Sequence, residues 1–311
     1  MTNPVLAEVV RSGFVESAHR GALVVTGPEG QVRLALGDVV SPVSPRSSNK
    51  PLQAVGMLRA GLGFTDEDLA LACASHSGEP GHVKRVLELL EAAGLREEDL
   101  ACPPDFPLHV PSMRDAAEPR RVMMNCSGKH TAMLTTCVRA GWPVSGYSAP
   151  DHPLQQAIAL VVAELTDEPI AHTGVDGCGA PLFAFSLTGL ARAFGRIACA
   201  AEGSSAAVAS AMRAHPWLVA GTGREDTTLM SAVEGLIAKA GAEGVQAFAL
   251  PDGFAVAMKV DDGAKRACAP LAVEALRYLG ADVSGLAELA RPAVLGGGQA
   301  VGEIRVPELR G

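Results

Sequence analysis

Apolar and polar positions alternate through the first forty residues, as in Ala7-Glu8-Val9-Val10-Arg11 and Ala22-Leu23-Val24-Val25. Gly27-Pro28-Glu29-Gly30 breaks that pattern before Gln31-Val32-Arg33-Leu34-Ala35-Leu36. A period near two, interrupted by a Gly/Pro turn, predicts an antiparallel meander. After the Pro/Ser segment Ser41 to Ser48 the period changes. Apolar residues recur at helical spacing from Pro51 to Leu58, which places Lys50 at a helix start. Further helices are expected at about Pro80–Ala93, Lys129–Ala140, Pro153–Leu165, Ala206–His215, Thr227–Ala240 and Ala269–Leu279. Between the last two, Gly244 to Leu250 and Gly253 to Val260 predict a strand hairpin turning at Pro251-Asp252-Gly253. Strands, then helices, then strands imply an α+β fold: an antiparallel sheet formed by N- and C-terminal strands, with a helical region inserted between them. One domain is expected over 1–311, with a sheet lobe of about 1–45 and 244–311 and a helical lobe of about 46–243.

Composition narrows the function. The chain has 311 residues, a net charge of −8 and 48% hydrophobic residues, enough for a large core and without the basic footprint that phosphate backbones require. No nucleic-acid partner is expected. No apolar run approaches the roughly 18 residues that span a bilayer, and Met1-Thr2-Asn3-Pro4 does not open a leader, so a cytoplasmic protein without a membrane partner is expected. The odd count of seven cysteines argues against a disulfide framework. Cys73, Cys137, Cys199 and Cys268 lie in apolar stretches and are expected to be core thiols. Arginine outnumbers lysine twenty to six, so a retained lysine is the better candidate for titratable amine chemistry.

Several segments can carry such chemistry. Ser47-Ser48-Asn49-Lys50 is an S-x-x-K tetrapeptide entering a helix, where positions i and i+3 share a face and an amine can serve as base to a hydroxyl. Taken alone it reads equally well as a helix cap followed by a solvated lysine. Ala74-Ser75-His76-Ser77-Gly78-Glu79-Pro80 sets polar residues just after an apolar stretch, where active sites place hydroxyls and where capping loops also occur. Asn125-Cys126-Ser127-Gly128-Lys129-His130 and Gly174-Val175-Asp176-Gly177-Cys178-Gly179-Ala180-Pro181 each embed a cysteine among glycine and charge. Two thiolates with an Asp, a His or a neutral amine can bind zinc, although neither cysteine belongs to a C-x-x-C pair. Lys259, inside Phe254 to Val260, is either an edge lysine or a buried amine with a partner.

Together and in order, these segments resemble the L-asparaginase II family of the Rhizobium etli type, whose fold is similar to serine β-lactamases. The resemblance runs from Arg46-Ser47-Ser48-Asn49-Lys50-Pro51-Leu52-Gln53 to Lys259-Val260-Asp261-Asp262-Gly263. It implies two Ser-Lys tandems, Ser47 with Lys50 and Ser75 with Lys259. It also implies a zinc held by Cys126, Cys178 and Lys129, reached by Asp176 through water. On this reading Lys50 deprotonates Ser47, which attacks the side-chain carboxamide of L-asparagine, while Ser75 and Lys259 relay protons. Arg46, Asn125 and His130 are expected to bind substrate or orient the lysines. The resemblance further suggests a homodimer. Rival readings are a glutaminase, since one methylene is weakly discriminated, and a non-catalytic zinc-binding module. A penicillin-recognising enzyme is disfavoured, because the chain carries neither S-D-N nor K-T-G.

Overall fold

The computed structural model describes residues 2–309. They divide into two compact units.

The first unit takes the residues up to Ser48, Phe185–Cys199 and those from Thr228 onward. Its centre is an eight-stranded sheet. Seven strands run in the spatial order Ala293–Gly296, Gln299–Arg305, Val5–Arg11, Phe14–Thr26, Ala255–Val260, Val245–Ala249 and Ile237–Ala240. Val32–Leu36 pairs off that path with Phe14–Thr26, and every pairing is antiparallel. The thirteen residues of Phe14–Thr26 do double service: the first half pairs with Val5–Arg11 and the second, from Gly21, with Ala255–Val260. Gly21 is required where that change occurs, because a Cβ there would stand 2.2 Å from the Lys259 carbonyl oxygen. Ala255, Val256, Ala257 and Met258 are all fully buried, so both faces of this strand are covered. Helices Leu187–Ala198 and Cys268–Tyr278 pack on it and on Val245–Ala249.

The second unit comprises Asn49–Ala184 and Ala200–Thr227 and is helical. Helix Lys50–Arg59 is its axis and packs against Pro153–Thr166, Ser127–Ala140, Gly203–Ala214 and Asp66–Ala72. Leu52, Ala54, Val55 and Met57 are fully buried there. Glycine permits the closest approach: a Cβ on Gly128, in the first turn of Ser127–Ala140, would lie 2.5 Å from the Leu71 carbonyl oxygen. His172–Val175 folds back on the start of Pro181–Ser186, with Val175 opposite Pro181, so that Asp176 to Ala180 form a tight turn. Asp176 N–H donates to Ala180 O, Gly179 N–H donates to Asp176 O, and Gly179 takes φ 84°.

The α+β expectation holds, with N- and C-terminal strands in one antiparallel sheet and a helical region between them in the chain. The lobe boundaries differ. The sheet unit also takes 46–48, 185–199 and 228–243, the second because the amphipathic helix Leu187–Ala198 buries its Leu, Ala and Phe side chains on the sheet. The helix expected over Thr227–Ala240 stops at Ala232, and Ile237–Ala240 is a strand paired with Val245–Ala249. Cys199 is exposed rather than in the core, since the helix before it ends at Ala198. Among the described residues no helix is long and apolar enough to cross a membrane.

Candidate active site

Lys50, the first residue of its helix, is fully buried, and its amine makes three contacts inside the helical unit. Lys50 Nζ lies 2.5 Å from Ala74 O, 2.9 Å from Ser75 Oγ and 3.1 Å from Cys126 Sγ. Ser75 follows helix Asp66–Ala72 in an irregular segment held by two backbone bonds, Ser75 N–H to Val219 O at 3.0 Å and His76 N–H to Asn125 O at 3.1 Å. Those bonds hold the Ser75 hydroxyl, 6% exposed, over the lysine.

A second amine faces a second thiol beside it. Lys129, two residues into Ser127–Ala140 and 1% exposed, donates to Cys178 Sγ at 3.2 Å. Cys126 Sγ stands 2.9 Å from Asn125 Oδ1 and also shares a hydrogen bond with Cys178. That bond, aided by the positive charge of Lys129, holds the Cys178 thiol far below its ordinary range. The same bond and burial push Cys126 up. Of the two thiols Cys178 is the one favoured as thiolate, while Cys126 Sγ donates to Asn125 Oδ1. Burial opposes charge on Lys129, but the facing Cys178, Cys126 and Asp176 outweigh it and raise the amine above its usual value. His130, on the same helix, is fully buried and pushed down chiefly by that burial. Its Nδ1 is 2.6 Å from the Tyr147 hydroxyl, which accepts from Ala101 N–H at 2.9 Å. The tyrosine O–H therefore donates to Nδ1 and leaves the ring proton on Nε2, which has no hydrogen bond of ordinary length and senses the Cys178 sulfur.

Zinc can be tested against this donor set. Among the described residues no three His, Cys, Asp or Glu side chains converge as a metal site. Two buried thiols do converge, one already favoured as thiolate, with the Lys129 amine in contact and the orphaned His130 Nε2 alongside. Two sulfurs and a nitrogen suit tetrahedral zinc. Asp176, at the start of the Cys178 turn and half-buried, acts on Lys129 through its charge.

His76 and Ser127 brace the floor. Gly78 N–H donates to His76 Nδ1 at 3.1 Å, so Nε2 carries the proton and donates to Ser127 Oγ at 2.8 Å, which in turn donates to Val122 O. Burial, with help from the nearby cations, keeps His76 well below its usual value and hence neutral. Its ring stacks on His82 at 5.1 Å, and His82 stacks on Trp217 at 4.0 Å.

The structure thus gathers Lys50, Ser75, Asn125, Cys126, Lys129, His130, Asp176 and Cys178 in the helical unit, and the serine it joins to Lys50 is Ser75. Ser47, Arg46 and Lys259 lie in the sheet unit. Ser47 occupies the 3-10 turn Arg46–Asn49 and is half-buried. Arg46 takes φ 53°, in the left-handed region, and its guanidinium is 3.9 Å from Glu243. Lys259 pairs in register with Ala22 and Val245, and its amine bonds the Val260 carbonyl. Tyr147 was not anticipated. It lies in an irregular Gly/Ser/Pro segment, and only its burial at 2% exposure and its bond to His130 mark it.

The family model for L-asparaginase II matches residues 7–306. No curated protein matches the chain. Among solved structures, Mglu in its native form is 13% identical with a TM-score of 0.47, covering 84% of this chain; the chain spans 64% of that one. A putative beta-lactamase from Bacteroides dorei DSM 17855 is 14% identical with a TM-score of 0.42, covering 77% of this chain and 84% of its own. A beta-lactamase from Mycobacterium bovis is 15% identical with a TM-score of 0.39, covering 78% and 88%.

Proposed function

The chain belongs to the L-asparaginase II family, and on that premise we propose that it hydrolyses L-asparagine to L-aspartate and ammonia through a serine ester with Lys50 as the base. Family membership supports amide hydrolysis in general. The observation that carries the Lys50-centred chemistry is the 2.9 Å contact of its buried amine with the Ser75 hydroxyl. A desolvated lysine beside a hydroxyl is the arrangement that makes serine nucleophilic.

Ser47 attacks the side-chain carbonyl carbon as its proton passes to Lys50. The tetrahedral oxyanion then collapses, the carbon–nitrogen bond breaks, and the amide nitrogen leaves as ammonia with a proton relayed through Ser75. Water, deprotonated by the same relay or by Lys259, attacks the ester and releases L-aspartate. Ser47 stands three residues before Lys50 in one helical run and follows Arg46, whose left-handed backbone is of a kind that costs about 1–3 kcal/mol and clusters at functional sites. A second reading, favoured by the Lys50 contact itself, puts the acyl group on Ser75. Arg46, Asn125 and His130 remain the proposed substrate and orienting groups.

Cys126, Cys178 and Lys129 would hold zinc, with Asp176 through water. When bound, zinc supplies a fixed positive charge and a Lewis acid beside the serines. Lys129 must lose its proton to ligate, so metal binding competes with its ion pair to Cys178 and releases protons. A homodimer is carried as a proposal, tested by light scattering on the eluted protein.

Ammonia release from L-asparagine and L-glutamine by wild type, Ser47→Ala and Ser75→Ala tests the proposal, with zinc measured on each preparation. Asparagine-selective release lost in Ser47→Ala supports it. Loss confined to Ser75→Ala selects the second reading, and no release by folded wild type overturns both.

A further inference from the structure

The segment Ala220 to Arg224 is strapped onto the loop that bears Ser75. Ser75 N–H donates to Val219 O at 3.0 Å, Ser77 Oγ donates to Ala220 O at 2.8 Å, and both Glu79 carboxylate oxygens accept from Thr222, Oε1 from its N–H and Oε2 from its hydroxyl, each at 2.8 Å. Gly221 makes this fit possible. It takes φ 121°, and a Cβ on it would come within 2.4 Å of Ser77 Oγ and 2.6 Å of Glu79 Oε1. The strap fixes the half-buried Arg224, whose guanidinium reaches Ser77 Oγ at 3.5 Å and whose charge is felt by His76 and His82. The strap thus ends in a half-buried arginine beside the loop that bears Ser75.

We infer that Arg224 is a specificity-determining residue that binds the α-carboxylate of the amino-acid substrate, and that Glu79 and Thr222 are the positioning residues that hold it there. This rests on the asparaginase reading and adds the head-group contact to it. Ser77 lies two residues from Ser75 on the same loop, and Arg224 reaches Ser77 Oγ at 3.5 Å, so the guanidinium stands by the loop that bears Ser75. Glutamine places its carboxylate one bond of about 1.5 Å further from its amide than asparagine does. Arginine suits the task because its fork pairs a carboxylate through two parallel N–H bonds.

The test compares wild type, Arg224→Met and Arg224→Lys on L-asparagine and on 3-aminopropanamide, which is asparagine without the α-carboxylate. Arg224→Met should raise KM for L-asparagine about 10- to 100-fold with kcat little changed, while kcat/KM for 3-aminopropanamide stays at the wild-type value. Arg224→Lys, which keeps the charge but not the fork, should fall between. Equal losses on the two amides, or an unchanged KM for L-asparagine, would overturn the assignment, as would Arg46→Met reproducing the effect while Arg224→Met did not. Calorimetric titration of L-asparagine separates substrate binding from turnover. If wild type binds it through Arg224 without turning it over, the head-group assignment stands and the hydrolase reading falls; if wild type does not bind it, both fall.

Discussion

Removing one oxygen atom from Tyr147 should weaken the fold without changing its packing. The ring is 2% exposed and Tyr147→Phe keeps it, so no cavity opens. Two polar groups lose their partner instead: Ala101 N–H, bonded at 2.9 Å, and His130 Nδ1, bonded at 2.6 Å. A buried group left unsatisfied costs about 1–3 kcal/mol, so the pair should cost about 2–6 kcal/mol. His130 is fully buried and its other nitrogen already lacks an ordinary hydrogen bond, so the ring would have neither end anchored and would no longer be held facing Cys178. Guanidinium unfolding should move to lower midpoint with unchanged slope. A double-mutant cycle with His130→Ala isolates the bond, and about 1 kcal/mol of coupling is expected. A loss below about 0.5 kcal/mol with zero coupling would refute the tautomer and the bracing role assigned to this pair.

Acid should destabilise the protein through its buried histidines. His76 and His82 sit below the ordinary value of 6.5, each chiefly through burial, so the unfolded chain binds protons that the folded chain refuses. Their contribution is complete above about pH 6.5 and is lost as pH falls toward their folded values, at up to about 1.4 kcal/mol per pH unit for each histidine. Melting temperatures at pH 7.5 and 5.5 should show the drop, and His76→Gln should flatten it; a melting temperature that holds or rises in acid contradicts it. Gly221→Ala should cost about 1–3 kcal/mol by thermal unfolding, since its Cβ has no room and its φ is left-handed; an unaffected midpoint would mean the strap is slack. On the proposed zinc site, wild type should carry stoichiometric zinc by elemental analysis and a folded Cys178→Ser should not; equal zinc in the two would contradict the proposed role of Cys178.

Sequence periodicity was legible where local preference and tertiary packing agree. Pro80–Ala92 and Pro153–Thr166 begin with a proline in the first turn and keep apolar spacing throughout. Ile237–Ala240 shows the opposite case: Ala-Lys-Ala favours helix, yet sheet pairing with Val245–Ala249 prevails and buries Lys239 completely. The hairpin of Ala293–Gly296 and Gln299–Arg305 has a readable turn signal in Gly297 and Gly298, at φ 57° and 79°, but short strands with little apolar alternation. At the site, the residue types were readable as motifs because glycine and charge surround them. The partnership of Lys50 with Ser75 was not, because the two lie 25 positions apart and meet only through helix packing. The same holds for the lysines: Lys50, Lys129 and Lys239 are buried, and the first two face thiols that no spacing rule connects to them.

The central claim is that Lys50 activates a serine that carries the acyl group. Peptide mapping by mass spectrometry of wild type and Lys50→Met, acid-quenched during turnover of L-asparagine, tests it most directly. The account predicts an aspartyl ester on the Ser47 peptide, or on the Ser75 peptide if that serine is the nucleophile, and no ester in Lys50→Met. Undiminished ammonia release by Lys50→Met, with no ester on either serine in wild type, would contradict it.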